Sequence, residues 1–240
     1  MNNDTELKIC SYSQQFGELI NILQLNNQKK ILKWKILNSR NIQNLIINYI
    51  GFTPYTKKEI QEAVKLWCNN KKKAIKKYGD INTWNVHNIT DMSELFMNCK
   101  KFNQPLNNWD VSNVTNMNNM FFRCHKYNQP LNNLDVSNVQ DMNHMFFGCY
   151  KFNQPLDKWN VSNVTNMESM FAYCDIFNQP LNNWDVSNVT SMKRMFCSCY
   201  DFNQQLNNWD VSNVKNMEDI FIWCLSFKYK YMPNWWHIKL

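Results

Sequence analysis

The sequence predicts an α/β solenoid, right-handed and built from 25-residue coils, behind an N-terminal helical region. Three observations predict it. One tract, clearest over Phe102–Lys126, recurs with no insertion or deletion between copies. A column of bulky residues steps by 25 through Trp84, Trp109, Leu134, Trp159, Trp184 and Trp209. A cysteine column takes the same step through Cys99, Cys124, Cys149, Cys174, Cys199 and Cys224. A fixed period in this range marks stacked repeats, each of which buries its apolar side only against its neighbours.

Composition narrows the rest. The net charge of +7 is uneven: residues 1–80 hold 14 Lys and Arg against 6 Asp and Glu, residues 81–240 hold 12 against 13. Attraction to nucleic acid or acidic lipid therefore belongs to the N-terminal part, and the repeats are near neutral. Only four glycines are present, so turns fall to Asn and Asp. The N-terminus has no apolar signal core, and no run of 18 apolar residues occurs, which predicts an intracellular chain with reduced thiols and no membrane span.

Residues 1–55 read as a helical region, poorly ordered over 1–12. Phe16, Leu19, Ile20 and Leu23 fall on one helical face. Residues 56–80 read as a capping helix: Thr56 and Glu59 make a capping box, and Lys71, Lys72, Lys73, Lys76 and Lys77 suit the negative helix end. The lysines read as a solvated face, because no aromatics alternate with them.

The solenoid spans residues 81–226. Within a coil, Trp109 and Val111 are two apart and predict one face of a short parallel strand. Met117, Met120, Phe121 and Cys124 fall at i, i+3, i+4 and i+7 and predict a short inward helix. Asp91, Asn116, Asp141, Asn166, Ser191 and Asn216 precede each such group as N-cap types. Residues 227–240 read as a cap, with Trp235 and Trp236 one and two places late for the column.

The tract Trp109–Met117 (WDVSNVTNM), the M-F-x-x-C word and the L-x-x-W-x-V core resemble the BspA-like leucine-rich-repeat family, in particular the DUF285 repeats of bacterial surface lipoproteins and giant DNA viruses. The resemblance covers about residues 81–227 and implies a leucine-rich-repeat-like solenoid. It implies no reaction. A viral member would sit in host cytoplasm or virion.

Functional expectations follow from what repeats. The cysteine column reads as compact apolar filler, and with Trp109, Trp159, Trp184 and Trp209 it forms the structural core ladder. Asp110, Asp135, Asn160, Asp185 and Asp210, with Asn85 ahead of them, make a solvent-facing row that is the candidate partner-binding surface. His87, His125, His144 and His237 occupy unrelated repeat positions, and no phosphate-binding glycine loop exists, so no catalytic residue, metal or cofactor is expected. The chain reads as a monomeric protein-binding scaffold. The alternatives are a surface- or virion-associated adhesin-like protein, and an adaptor with N-terminal docking helices. Specificity is expected at non-repeating positions such as Arg123, His125, Gly148, Tyr150, Lys193 and Arg194.

Overall fold

The computed structural model describes residues 51–228 and 233–238, without the side chains of His237 and Ile238. The helices expected over 13–50 and the disorder expected over 1–12 lie outside the described residues.

Two helices open the described chain: α1 (Lys57–Asn69) and α2 (Lys71–Tyr78). Thr56 Oγ1 accepts from the Glu59 N–H at 3.2 Å, and Glu59 Oε2 accepts from the Thr56 N–H at 3.0 Å, so the capping box forms. The single helix expected over 56–78 is broken at Asn70. Its backbone leaves helical geometry at φ −152°, and its side chain accepts from the Lys73 N–H at 3.0 Å. Asn competes with the helix for amides in this way, ending α1 and starting α2. Ile60, Ala63, Val64, Trp67, Ala74 and Tyr78 are buried. The Trp67 and Tyr78 rings meet Trp84 edge-on at 5.9 and 6.0 Å, so the helices cover the first coil.

The coils correct the α/β expectation. Among the described residues they contain no strand and no α-helix, and the single 3-10 turn, Ile81–Thr83, opens the first coil and is not repeated. Their only β pairing is one isolated parallel bridge per step, from Asp91–Asn116 through to Ser191–Asn216. Each coil is instead a series of four-residue turns. In the second, the N–H groups of Trp109, Val114, Met120, Cys124 and Tyr127 donate to the carbonyls three residues back, on Leu106, Val111, Met117, Phe121 and Cys124. The first and last residue of every one of these turns is buried. Two adjoining turns, Met117–Met120 and Phe121–Cys124, therefore reproduce the i, i+3, i+4, i+7 pattern of a helix. Backbone φ is +55° at Asn119 and +56° at Arg123, the third residue of each turn, which a helix forbids. Five of the six residues read as helix N-caps, Asp91, Asn116, Asp141, Asn166 and Asn216, begin an Asx turn: Asn116 Oδ1 accepts from the Asn118 N–H at 2.9 Å. The strand expected at Trp109 and Val111 fails for the same reason, since each residue closes or opens a turn. With no strand and no helix per coil, the leucine-rich-repeat-like arrangement is not that of this chain.

The turn amides divide between two directions. Met117, Asn119, Phe121 and Arg123 donate N–H groups to the carbonyls of Asp141, Asn143, Met145 and Phe147 on the next coil, at 2.6–2.9 Å. The intervening Met120, Phe122 and Cys124 donate within their own coil. The same split recurs from Met92 to Ser198. Backbone groups therefore stay paired without a sheet or a helix.

Side chains add three more ladders. Phe96, Phe121, Phe146, Phe171, Phe196 and Phe221 stack at 5.3–5.7 Å. Asn128 Oδ1 accepts from the Asn153 N–H at 3.0 Å and from Gln154 Nε2 at 3.0 Å, and Asn103, Asn153 and Asn178 act alike. The indole N–H groups of Trp109, Trp159, Trp184 and Trp209 donate to backbone carbonyls 28 residues earlier. Trp235, one place late, still stacks on Trp209 at 6.5 Å and donates to the Leu206 carbonyl at 3.1 Å.

Five column cysteines are buried free thiols. Each S–H donates to a carbonyl one coil back, as from Cys149 to Phe121 at 3.1 Å and from Cys199 to Phe171 at 2.8 Å. Burial holds Cys149, Cys174 and Cys199 well above the usual thiol range and pushes Cys224 up to about 12. Cys99 corrects the expectation of reduced thiols: it forms a disulfide with Cys68 of α1, with Cα atoms 5.9 Å apart. No coil precedes it to offer a carbonyl, and α1 supplies a second cysteine in that place.

Two stability tests follow. The Tyr127 hydroxyl is buried without a partner among the described residues, where five other coils place Phe. Tyr127→Phe is expected to stabilise the protein by about 1–3 kcal/mol, read as a higher urea midpoint. Cys68→Ser is expected to cost roughly 2–4 kcal/mol in non-reducing buffer, and the gap to wild type should close when dithiothreitol is present.

Candidate interaction surface

The outward side of the turn ladder is where the repeat stops repeating. At the left-handed third position of the first turn, successive coils carry Glu94, Asn119, His144, Ser169, Arg194 and Asp219, six different residues. At the matching position of the second turn they carry Asn98, Arg123, Gly148, Tyr173, Ser198 and Trp223, again all different. Between them stand Met97, Phe122, Phe147, Ala172, Cys197 and Ile222. The backbone ladder holds all three columns at the spacing of the coils, so side-chain identity can vary without disturbing the stack.

This variation carves a groove. The small Ser169, Ala172 and Cys197 leave a cavity of about 400 Å³, walled by Phe147, Tyr173, Ile222 and Trp223. Phe122 stacks on Phe147 at 4.8 Å, and Phe147 meets Tyr173 at 5.1 Å. Arg194 Nε and Nη2 both donate to Asp219 Oδ2 at 3.0 Å, which fixes the polar wall. His144 lies 5.4 Å from the Phe147 ring, and burial lowers its pKa against the opposing charges of Glu168 and Asp141. Tyr173 and Trp223 remain 40% and 65% exposed at positive φ, which bulky side chains rarely adopt. Apolar walls with a few fixed polar groups suit an inserted aromatic or aliphatic side chain.

A second crevice, about 800 Å³, lies between α1 and the first coil. Lys65, Lys71, Lys100 and Lys101 line it, together with Glu94, Leu95 and Met97. Lys71 Nζ is held by Gln104 Oε1 at 2.7 Å.

The polar row stands elsewhere, one member per coil and exposed. Each member closes its own turn: Asp110, Asp135, Asn160, Asp185 and Asp210 accept through Oδ1 from the backbone N–H two residues on, at 3.0–3.1 Å. The Ser112 hydroxyl and N–H, then His87, hold the Asp110 carboxyl below its usual range. His87 Nδ1 lies 2.7 Å from Asp110 Oδ2. Among the described residues no three His, Cys, Asp or Glu side chains converge to hold a metal. His87, His125 and His144 stay apart in three different columns. No described helix is long and apolar enough to cross a membrane.

Of the variable positions singled out by sequence, Arg194 lines the groove, whereas His125 and Tyr150 pair at 4.6 Å outside it. Phe147, Ala172, Tyr173 and Trp223 were not among them. The signal in the sequence is that positions two, five and six after each column Met vary from coil to coil.

His144 generates a pH test. Its folded pKa is depressed below the ordinary value near 6.5. Below that pH the unfolded chain takes up a proton that the folded protein resists, so stability falls as pH drops through and below about 6.5. His144→Asn is expected to show a smaller loss of urea midpoint between about pH 7.5 and 5.5 than wild type. An equal loss in both would assign the decline to other groups, of which His125, lowered by burial and by Lys100 and Arg123, is the next.

Comparison with known proteins agrees with the geometry of one repeating unit. The model of the family described as "Mycoplasma protein of unknown function, DUF285" matches twice, over residues 64–175 and 131–235. No curated protein and no solved structure matches. Together the two matches span most of the chain, and the chain belongs to the DUF285 repeat family.

Proposed function

We propose that this chain is a non-enzymatic scaffold that binds another protein through the variable outer face of its turn ladder. The single observation behind this is the groove bounded by Phe147, Tyr173 and Trp223, on the face where sequence varies over an otherwise repeated frame. Aromatic side chains held exposed on a rigid backbone are the residues that dominate protein interfaces. The separation of His87, His125 and His144, and the consumption of the Asp row in turn closure, support a binding role over catalysis. The adaptor variant depends on residues 13–50, outside the described part.

The test pairs capture with groove variants. Full-length protein is purified with its partners from its native host after cross-linking, alongside Phe147→Ala and Tyr173→Gly; glycine suits the positive φ at 173. The expected outcome is a defined partner whose affinity falls by about 30-fold or more in the variants. A partner retained equally by both variants would overturn the groove as the binding face.

A further inference from the structure

The geometry points to a second docking edge, at the C-terminal end of the turn ladder, that takes a backbone segment of another polypeptide. It goes beyond the groove, which reads side chains. Just before the two adjoining turns, the Thr115, Gln140, Thr165, Thr190 and Lys215 N–H groups donate to the coil before, but along the turns themselves the inter-coil bonds run one way, from N–H groups on one coil to carbonyls on the next. The last coil therefore ends in donors. The backbone N–H groups of Met217, Asp219, Phe221 and Trp223 have no acceptor among the described residues, whereas their counterparts Met192, Arg194, Phe196 and Ser198 all donate at 2.8–2.9 Å. The C-terminal 3-10 segment Asn234–Ile238 covers the core, through Trp235 on Trp209 and Trp236 on Phe221, but not this row.

The five inter-coil interfaces define what fits. The occupant presents carbonyls at alternate residues in the same turn ribbon. It has apolar residues at its first, fourth, fifth and eighth positions, and residues tolerant of left-handed backbone at its third and seventh. Charge sets its polar positions. Lys193 pairs with Glu218 and Arg194 with Asp219 across the preceding step, at 2.6 and 3.0 Å. Glu218 and Asp219 are thus held by the preceding coil, and an acidic residue at position two or three of the newcomer would meet like charge. Trp223 and Leu225, 65% and 74% exposed, offer apolar cover to its second turn. A second copy of this chain does not supply the segment. Its own C-terminal row is also of donors. Its complementary acceptors, the carbonyls of Asp91, Ser93, Leu95 and Met97, lie on the first coil, whose end is covered by α1 and tied to it through Cys68–Cys99. The partner is a separate polypeptide with an open ribbon of this kind.

The probe is a synthetic peptide of residues 190–199 of this chain, carrying Cys197→Ala and Cys199→Ala, which has Lys193 and Arg194, and no acidic residue, at positions two and three. It is titrated into ¹⁵N-labelled full-length protein. The expected result is movement of the Asp219, Phe221 and Trp223 backbone amide resonances, with Ala172 and Phe147 still. Binding is expected to weaken by about five-fold or more when Lys193 and Arg194 of the peptide are replaced by Glu. Trp223→Gly in the protein, compatible with φ +63° and keeping the N–H, should weaken binding by a similar factor at unchanged melting temperature. Three results overturn the proposal: no shift up to about 1 mM peptide, shifts confined to Phe147, Ser169 and Ala172 of the groove, or amide exchange at Asp219 and Phe221 as slow in the free protein as at Arg194 and Phe196. Shifts confined to those groove residues leave the groove reading intact, and its failure in capture leaves this titration unaffected.

Discussion

The division of amides between coil and neighbour is the constraint on which the structure depends. A turn of four residues satisfies one amide in its own coil. The amides left over must find acceptors elsewhere, and the next coil offers them at the same height. This ladder, one-directional along the turns, fixes the coil spacing, and the spacing fixes everything stacked upon it. The Phe rings, the Asn side chains and the indole N–H groups each repeat at that step because the backbone does. A lengthened coil would put all of these ladders out of register at once, which fits the absence of any insertion across six copies.

The same directionality makes the two ends of the stack unlike. One end needs donors and the other needs acceptors, and the chain treats them differently. At the start, two helices bury six apolar and aromatic side chains on the first coil, and a disulfide joins helix to coil. At the finish, Trp235 and Trp236 cover the core, and no described residue pairs with the backbone row. Repeat stacks require special ends because each coil is stable only between neighbours.

Much of the core was legible in the sequence. Trp109, Met117, Met120, Phe121 and Cys124 were read as inward, and all are buried. The capping box at Thr56 was read and forms. What escaped was the backbone between them. Inward residues at i, i+3, i+4 and i+7 fit one turn of helix after another, and they fit two adjoining four-residue turns equally well. The discriminating clue was Asn119, His144, Gly148 and Asp219 at the third places, residue types that accept positive φ. Arg123, Tyr173 and Trp223 at equivalent places masked it, being types that rarely do. The outward groove was hidden for the same reason: on a helix these positions scatter around a cylinder, whereas on a turn ladder they align.

The sequence by itself determined the period, the inward columns and the near-neutral charge of the repeats, because these depend only on residue type and spacing. Only the tertiary structure decided whether the coils are helical, strand-like or turned. That choice rests on where leftover amides find acceptors, and the acceptors lie 24 residues away on the next coil. The pairing of Cys68 with Cys99, the extension of the Trp stack by a late Trp235, and the open donor row were decided at the same level. Each is a property of an end, and an end exists only once the stack has formed.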